Sequence, residues 1–335
     1  MREADGAGPP RANRRALRLG RLLLLILTPL GAPGPVHAAD DAAAPANLLA
    51  KMSLAVRGLN YQGSFIYEHD GQIDALRLFH AGDGAEERER LISLSGARSE
   101  AVRSGGSVAC LPAGSPAVLF PNRDGARLLP LVPETRNAAL RSFYAFAADG
   151  TDRVAGYGAR IVDIVPRDAY RYGYRIWLES DSALPLRSAV VDASKRVLEQ
   201  FAFVDLEIGA RPREGDLAAG AGADAGVPPD EIPLGRATRW RVVDPPPGFH
   251  FLYSQRAAQG AAQAEHQMLS DGLADVSVYV EPRDAREPAQ PDRATQKGVL
   301  SVYARDTDGF RITVLGGVPR ATVERIARSL QPISP

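Results

Sequence analysis

Residues 170–208, YRYGYRIWLESDSALPLRSAVVDASKRVLEQFAFVDLEI, constrain the fold more than any other stretch. Three runs with a period of two are joined there by turns too short for anything but antiparallel neighbours. In the first run Tyr172, Tyr174, Ile176 and Leu178 share one face and Arg171, Arg175, Trp177 and Glu179 the other. Residues 180–183 supply a polar turn, 186–192 a second strand, 193–196 a second turn, and 197–208 a long third strand with Phe201 and Phe203 on one face. Glu199, Gln200, Asp205 and Glu207 interrupt that last strand, so the sheet should meet solvent or a polar partner along part of its width.

The chain opens with a leader. Six arginines up to Arg21 precede the apolar run Leu22 to Leu27, and Val36, His37 and Ala38 offer small residues for cleavage after Ala38. The apolar run is far short of the roughly 20 residues of a spanning helix, and Pro29, Pro33 and Pro35 break it. Residues 1–38 therefore read as a signal peptide for general secretion, and the mature chain as a soluble, exported protein. Its lone cysteine, Cys110, gives neither a lipoprotein anchor nor an intramolecular disulfide and reads as a small buried hydrophobe. Without the leader the chain carries 34 basic against 38 acidic residues, which argues against nucleic acid and against electrostatic adsorption to a membrane.

The remaining 297 residues exceed one ordinary core and predict two domains. The boundary falls at residues 209–233, GARPREGDLAAGAGADAGVPPDEIP, a Gly/Ala/Pro-rich linker without apolar period. In the first domain, 39–208, a helix with Leu48, Met52, Ala55, Val56 and Leu59 at helical spacing should pack on a sheet. A hairpin, 61–67 and 73–80, turns through Asp70-Gly71, and short strands follow at 88–94, 100–103, 107–111 and 117–120. Residues 137–147 suggest a short helix and 158–165 another strand. The second domain, 234–335, offers strands at 239–243, 249–253, 265–269, 274–280 and 299–306, then a hairpin through Asp308-Gly309 into 310–315. A last helix from Pro319 carries Val323, Ile326, Ala327 and Leu330 on one side. The expected class is α+β: a large antiparallel sheet or partial barrel with helices, then a smaller α+β domain.

Catalytic patterns are missing. There is no G-x-S-x-G, no phosphate-binding G-x-x-x-x-G-K-[ST], no H-E-x-x-H and no Cys-x-x-Cys. The five histidines show no metal-ligand spacing, so neither metal nor cofactor is expected. Glu86-Glu87-Arg88-Glu89-Arg90 alternates in sign and reads as a solvated strand edge. Arg167, Arg171 and Arg175, with Asp163 and Asp168, read either as cross-strand ion pairs or as a polar docking surface. Phe65, Tyr67, Leu76, Leu78, Tyr174, Ile176, Leu178, Phe201 and Phe203 would form an ordinary core, or line a concave pocket if the sheet curls without closing.

An ordered set of motifs carries a resemblance. Residues 89–91 (ERL), 153–156 (RVAG), 166–168 (PRD), 171–178 (RYGYRIWL), 184–188 (LPLRS) and 197–203 (VLEQFAF) lie in the first half. Residues 246–249 (PPGF), 270–274 (SDGLA) with 276–278 (VSV), and Val318-Pro319 with Thr322-Val323 lie in the second. Together they resemble the MucB/RseB family of periplasmic sigma-E regulators over nearly the whole mature chain. The resemblance implies a binding protein and not an enzyme, one that holds the periplasmic domain of an anti-sigma factor of the RseA/MucA type and shields it from regulated proteolysis. It also implies a first domain built like the lipoprotein carriers, with a pocket for lipid or lipopolysaccharide, and a homo-oligomer. The nine apolar residues are then candidate lipid contacts, and Arg167, Arg171 and Arg175 candidate partner contacts. The alternative is a soluble lipid or lipoprotein carrier, for which a second domain has little use; an exported hydrolase ranks third.

Overall fold

The computed structural model describes residues 38–82, 87–97, 99–104, 107–111, 118–121, 129, 138–218, 238–259, 262–284, 286 and 288–333. The expected leader, but for Ala38, and residues 219–233 of the expected linker lie outside them.

Helix α1 (Ala38–Gly58) leads into a run of antiparallel strands: β1 (Tyr61–His69), β2 (Gln72–Ala81), β3 (Arg88–Ser93), β4 (Glu100–Ser104), β5 (Ser107–Leu111) and β6 (Val118–Pro121). After a turn of 3-10 helix at Ala138–Ser142 come β7 (Tyr144–Val154), β8 (Tyr157–Pro166), β9 (Gly173–Glu179), β10 (Pro185–Val191) and β11 (Val197–Ile208). They form one eleven-stranded sheet in the order β6-β5-β4-β3-β2-β1-β11-β10-β9-β8-β7. The first hairpin turns where the dipeptide said it would, with Asp70 at φ 51° and Gly71 at φ 75°. Register shifts at Ser64/Phe65, Ala148/Thr151 and Val190/Val191 bend the strands. Tyr157 donates its hydroxyl to the Leu206 carbonyl at 3.1 Å, drawing the β7–β8 hairpin back toward β11. The sheet curls without closing, the expected partly open form.

Alternation decides the core. On β1, Tyr61, Gly63 and Phe65 are buried while Gln62 and Ser64 are not. The α1 stripe covers this concave face with Leu49, Met52, Ala55 and Val56; Leu48, expected on the stripe, is only partly buried. The other face of the β9–β10 region is covered as well. Trp177 is buried beneath the Arg187 guanidinium, 4.2 Å from its ring centre, and donates to Asp152 at 2.9 Å, so arginine stems take the place of an apolar layer.

Two expectations fail here. Residues 137–147 form only the short 3-10 turn before β7 begins at Tyr144, because Tyr-Ala-Phe-Ala alternates and its pairing with β8 prevails over alanine's helix preference. The Glu/Arg run is not a solvated edge: β3 lies between β2 and β4, and Glu89 and Arg90 are both buried. Opposite signs do take opposite faces, each with its own partner. Glu89 pairs with Arg103 at 2.8 Å, and Arg90 with Glu100 at 2.6 Å.

The chain leaves the first sheet by a short helix, α2 (Glu214–Leu217). Leu217 packs on Phe79, Ala81 and Ile92, and Arg88 bonds Glu214 at 2.7 Å. The remaining elements are β12 (Trp240–Val242), β13 (His250–Gln259), β14 (Ala262–Ser270), β15 (Asp275–Pro282), β16 (Arg293–Lys297), β17 (Leu300–Thr307), β18 (Phe310–Gly316), α3 (Arg320–Ser329) and β19 (Leu330–Pro332). The second sheet runs β13-β14-β15-β18-β17-β16, and β12 pairs with β19. Pro319 caps α3, whose Val323, Ile326 and Ala327 bury against Val276, Val278, Ile312 and Val314.

Candidate functional site

Six of the nine apolar candidates are core residues. Phe65, Leu78, Ile176, Leu178, Phe201 and Phe203 are buried in one cluster with Met52 and Val56 of α1. The rings of Phe65, Phe201 and Phe203 meet edge to face with centres 5.5 to 5.9 Å apart. The residues that share their face but are only partly buried behave differently. On β1 burial ends after Phe65, and Tyr67 and His69 point into a cavity of about 520 Å³. Leu76, Leu91 and the edge of Phe65 supply its other apolar walls, and Ser93, Ser95 and Ser99 line it as well.

Asp74 lines the cavity, and Glu199 and Asp70 stand next to residues that do. Tyr67 donates its hydroxyl to Glu199 at 2.9 Å; burial first, and then the Glu199 charge, push the phenol well above its ordinary value, so it stays a donor. The His69 ring stacks on Tyr67 with centres 4.7 Å apart and bonds Asp74 at 2.8 Å.

A second cavity, of about 510 Å³, opens where the two sheets meet. Tyr172, Tyr174 and Val191 form its apolar part, with Arg175, Lys195, Arg196 and Arg320 around them. Beside it lies the anchor of the seam. Asp271 Oδ1 accepts the amides of Leu273 and Ala274 at 2.9 and 2.8 Å, closing a tight turn and leaving Oδ2 for the first sheet. Oδ2 takes the Tyr144 hydroxyl at 2.9 Å and Arg171 Nε at 2.5 Å. The same guanidinium bonds Asp168 and the Pro247 carbonyl and stacks among Phe143, Tyr144 and Phe249. Burial, then Asp271, raise the Tyr144 phenol above its ordinary range. Tyr170 meets α3 through Thr322 and Arg325, both at 2.7 Å, and Tyr172 accepts from Gln296 at 3.0 Å.

The three arginine candidates thus separate. Arg171 is wholly buried in the seam. Arg175 pairs with Asp149 at 2.5 Å and lies 3.7 Å from Asp163 across the strand pair, with its head on the cleft. Arg167 is exposed and touches the Arg141 carbonyl at 3.3 Å.

One cluster had no sequence signal. His80, Glu87 and Glu89 bring ligand atoms within 4.8 Å of one another under the end of α1, where His80 Nδ1 lies 2.7 Å from the Leu59 carbonyl and its ring stacks on Tyr61. Arg103 reaches Glu87 at 2.6 Å and Glu89 at 2.8 Å, so a guanidinium already supplies the positive charge a metal would bring. The cluster is a buried ion-pair network.

The motifs in residues 166–168, 171–172, 246–249, 270–274 and 318–322, far apart in the chain, converge on the seam. Comparison with known proteins agrees over the same span. The profile of the MucB/RseB N-terminal domain matches residues 44–221, and that of the MucB/RseB C-terminal domain residues 235–331. The chain is 34% identical to the sigma factor AlgU regulatory protein MucB of Pseudomonas aeruginosa over 94% of its length and 98% of the relative's. It is 28% identical to the sigma-E factor regulatory protein RseB of Escherichia coli over 88% of its length and 94% of the relative's. The crystal structure of MucB in complex with MucA(peri) superposes with a TM-score of 0.71 at 31% identity, covering 88% of this chain and all of that one; MucB alone gives 0.62. Two matched domain profiles, a relative alike from end to end and a shared two-sheet fold place the chain in the MucB/RseB family.

Proposed function

We propose that this protein is a periplasmic negative regulator of an envelope-stress sigma factor, which binds the periplasmic domain of a membrane-bound anti-sigma factor and shields it from proteolysis. The observation that carries this reading is that likeness to MucB spans both sheets and the seam between them, and that a solved relative with this fold is in complex with MucA(peri). The cleft suits such a partner. Tyr172, Tyr174 and Val191 can take apolar side chains of an extended segment, and Lys195, Arg196 and Arg320 its acidic ones. Among the described residues no helix is long and apolar enough to cross a membrane, and the leader over residues 1–38 would bring the chain to the periplasm.

The test is a titration of the mature chain with the periplasmic segment of the anti-sigma factor encoded beside it. The expected results are saturable binding and slower proteolysis of that segment when the protein is present; absence of both would overturn the reading.

The cavity beside Tyr67 favours a second role, capture of an apolar lipid chain. Its walls can hold an acyl chain and its serines and carboxylates a polar head. Lipid or lipopolysaccharide bound there would release the anti-sigma segment. If lipid binds but the anti-sigma segment does not, the protein is a lipid carrier.

A further inference from the structure

One corner of the seam is in direct contact with residues that line the cavity beside Tyr67. The β16–β17 turn of the second sheet passes through Gly298, at φ 56°, against the β1–β2 turn and the start of β11. A Cβ on Gly298 would stand 2.5 Å from Asp70 Oδ1 and 3.2 Å from Glu199 Oε1, so only glycine fits while Asp70 keeps its place. Lys297 Nζ lies 3.2 Å from Asp70 Oδ2. Both carboxylates lead into the cavity wall: Glu199 holds the Tyr67 hydroxyl, and Asp70 lies 3.8 Å from Nδ1 of His69.

This corner is held less firmly than the rest of the seam. Asp70 Oδ1 is buried without a hydrogen-bond partner among the described residues, a cost that vanishes when the contact opens. Asp70, Asp74 and Glu199 crowd it opposite one lysine and one histidine. Lys297 is 72% exposed, so its ion pair adds little, and docking depends on the missing side chain at Gly298. On the other side of the seam Arg171 and Asp271 are fully buried and bonded.

We propose that the Lys297-Gly298 turn is a clasp that responds to cavity occupancy. An apolar chain entering between Tyr67, Leu76 and Leu91 shifts the stacked Tyr67–His69 pair and carries Glu199 and Asp70 off Gly298. The second sheet is then free to pivot about the Arg171–Asp271 anchor, which reshapes the cleft. The proposal rests on the lipid reading of the cavity and adds the residues through which the signal leaves it. Linkage is reciprocal, so opening the clasp must tighten lipid binding by the factor by which lipid weakens the clasp.

Hydrogen exchange of the full chain tests the coupling, first without ligand. Gly298→Ala should raise exchange about tenfold, a usual size for coupling between sites, both in residues 293–300 and in 67–74, with residues 168–172 unchanged. Lys297→Ala should do much less, and adding Asp70→Gly, which suits the φ of 51° at that position and removes the clashing oxygen, to Gly298→Ala should restore part of the protection, the strain of alanine at φ 56° remaining. If exchange rises in 293–300 while 67–74 stays as in the wild type, the clasp is refuted. The second arm adds palmitate to the wild type. Protection in 67–76 with a rise in 293–300 supports the clasp, and protection without the rise refutes it while leaving the lipid site standing. No protection at all refutes the lipid reading and, with it, the clasp as a sensor of lipid.

Discussion

Arg171 in the β8–β9 connection and Asp271 in the β14–β15 turn stand 100 residues apart in the chain and form an ion pair 2.5 Å long, with both side chains completely buried. Such a pair is costly to break from one side, because the remaining charge stays buried and uncompensated. Arg171→Met should therefore lower unfolding free energy by about 3–5 kcal/mol. Combined with Asp271→Asn it should cost clearly less than the two single changes added together. Urea unfolding of the three variants measures this, and additive losses would show that the two residues do not act as a pair.

Core and cavity predict opposite phenotypes for residues on one face of one sheet. Phe201→Ala removes a ring packed against Phe65 and Phe203 and should cost about 3–5 kcal/mol. Leu76→Trp projects into the 520 Å³ cavity, so it should leave the melting temperature within a few degrees and abolish fluorescence-detected binding of a fatty acid. A stable Phe201→Ala protein, or undiminished binding by Leu76→Trp, would contradict the division.

Gly63 marks the tightest approach between β1 and β11. A Cβ there would meet the Asp205 carbonyl oxygen at 2.3 Å, a backbone atom that cannot swing aside. Gly63→Ala should destabilise by more than about 2 kcal/mol, the scale of an overpacked core. Thermal unfolding of the variant checks it.

Glu179 closes the β9–β10 turn and gives the turn a pH dependence. Burial would raise its carboxyl, but the Ser182 hydroxyl and the amides of Ser182 and Asp181 bond the ionised form and hold it below its ordinary value of 4.5. A depressed carboxyl stabilises the fold above the unfolded value, and that stability is lost as pH falls through the folded one. Glu179→Gln should cost about 1–3 kcal/mol at pH 7. The gap to the wild type should stay constant down to about pH 4.5 and close below it, as melts across the acid range would show.

Local chemistry in the sequence located most of the fold. Asp70-Gly71 and Asp308-Gly309 take the left-handed conformations their dipeptides favour, and the alternating runs of the 170–208 meander pair as β9, β10 and β11. Arg293–Lys297 gave no signal. It is the edge strand β16, held by pairing with β17, with side chains that are mostly exposed, so no buried alternation marks it. That unmarked strand carries Lys297 to the clasp. His80 was equally silent, because its partners Glu89, on the neighbouring strand, and Glu87, just before it, meet it only when β2 and β3 pair.

By itself the sequence determined the antiparallel class, the two halves, the faces on which apolar residues fall and the family, because these depend on period, turns and ordered motifs. Only the tertiary structure decided which residues of one face are core and which are cavity. Phe65 and Tyr67 have the same periodicity, but Phe65 is fully buried in the cluster that holds Met52 and Val56 of α1, while Tyr67 is only partly buried at the cavity. It also turned Arg171 from a candidate surface residue into a buried anchor. An arginine's role depends on which carboxylate lies within reach, and Asp271 comes within reach only when the two sheets dock.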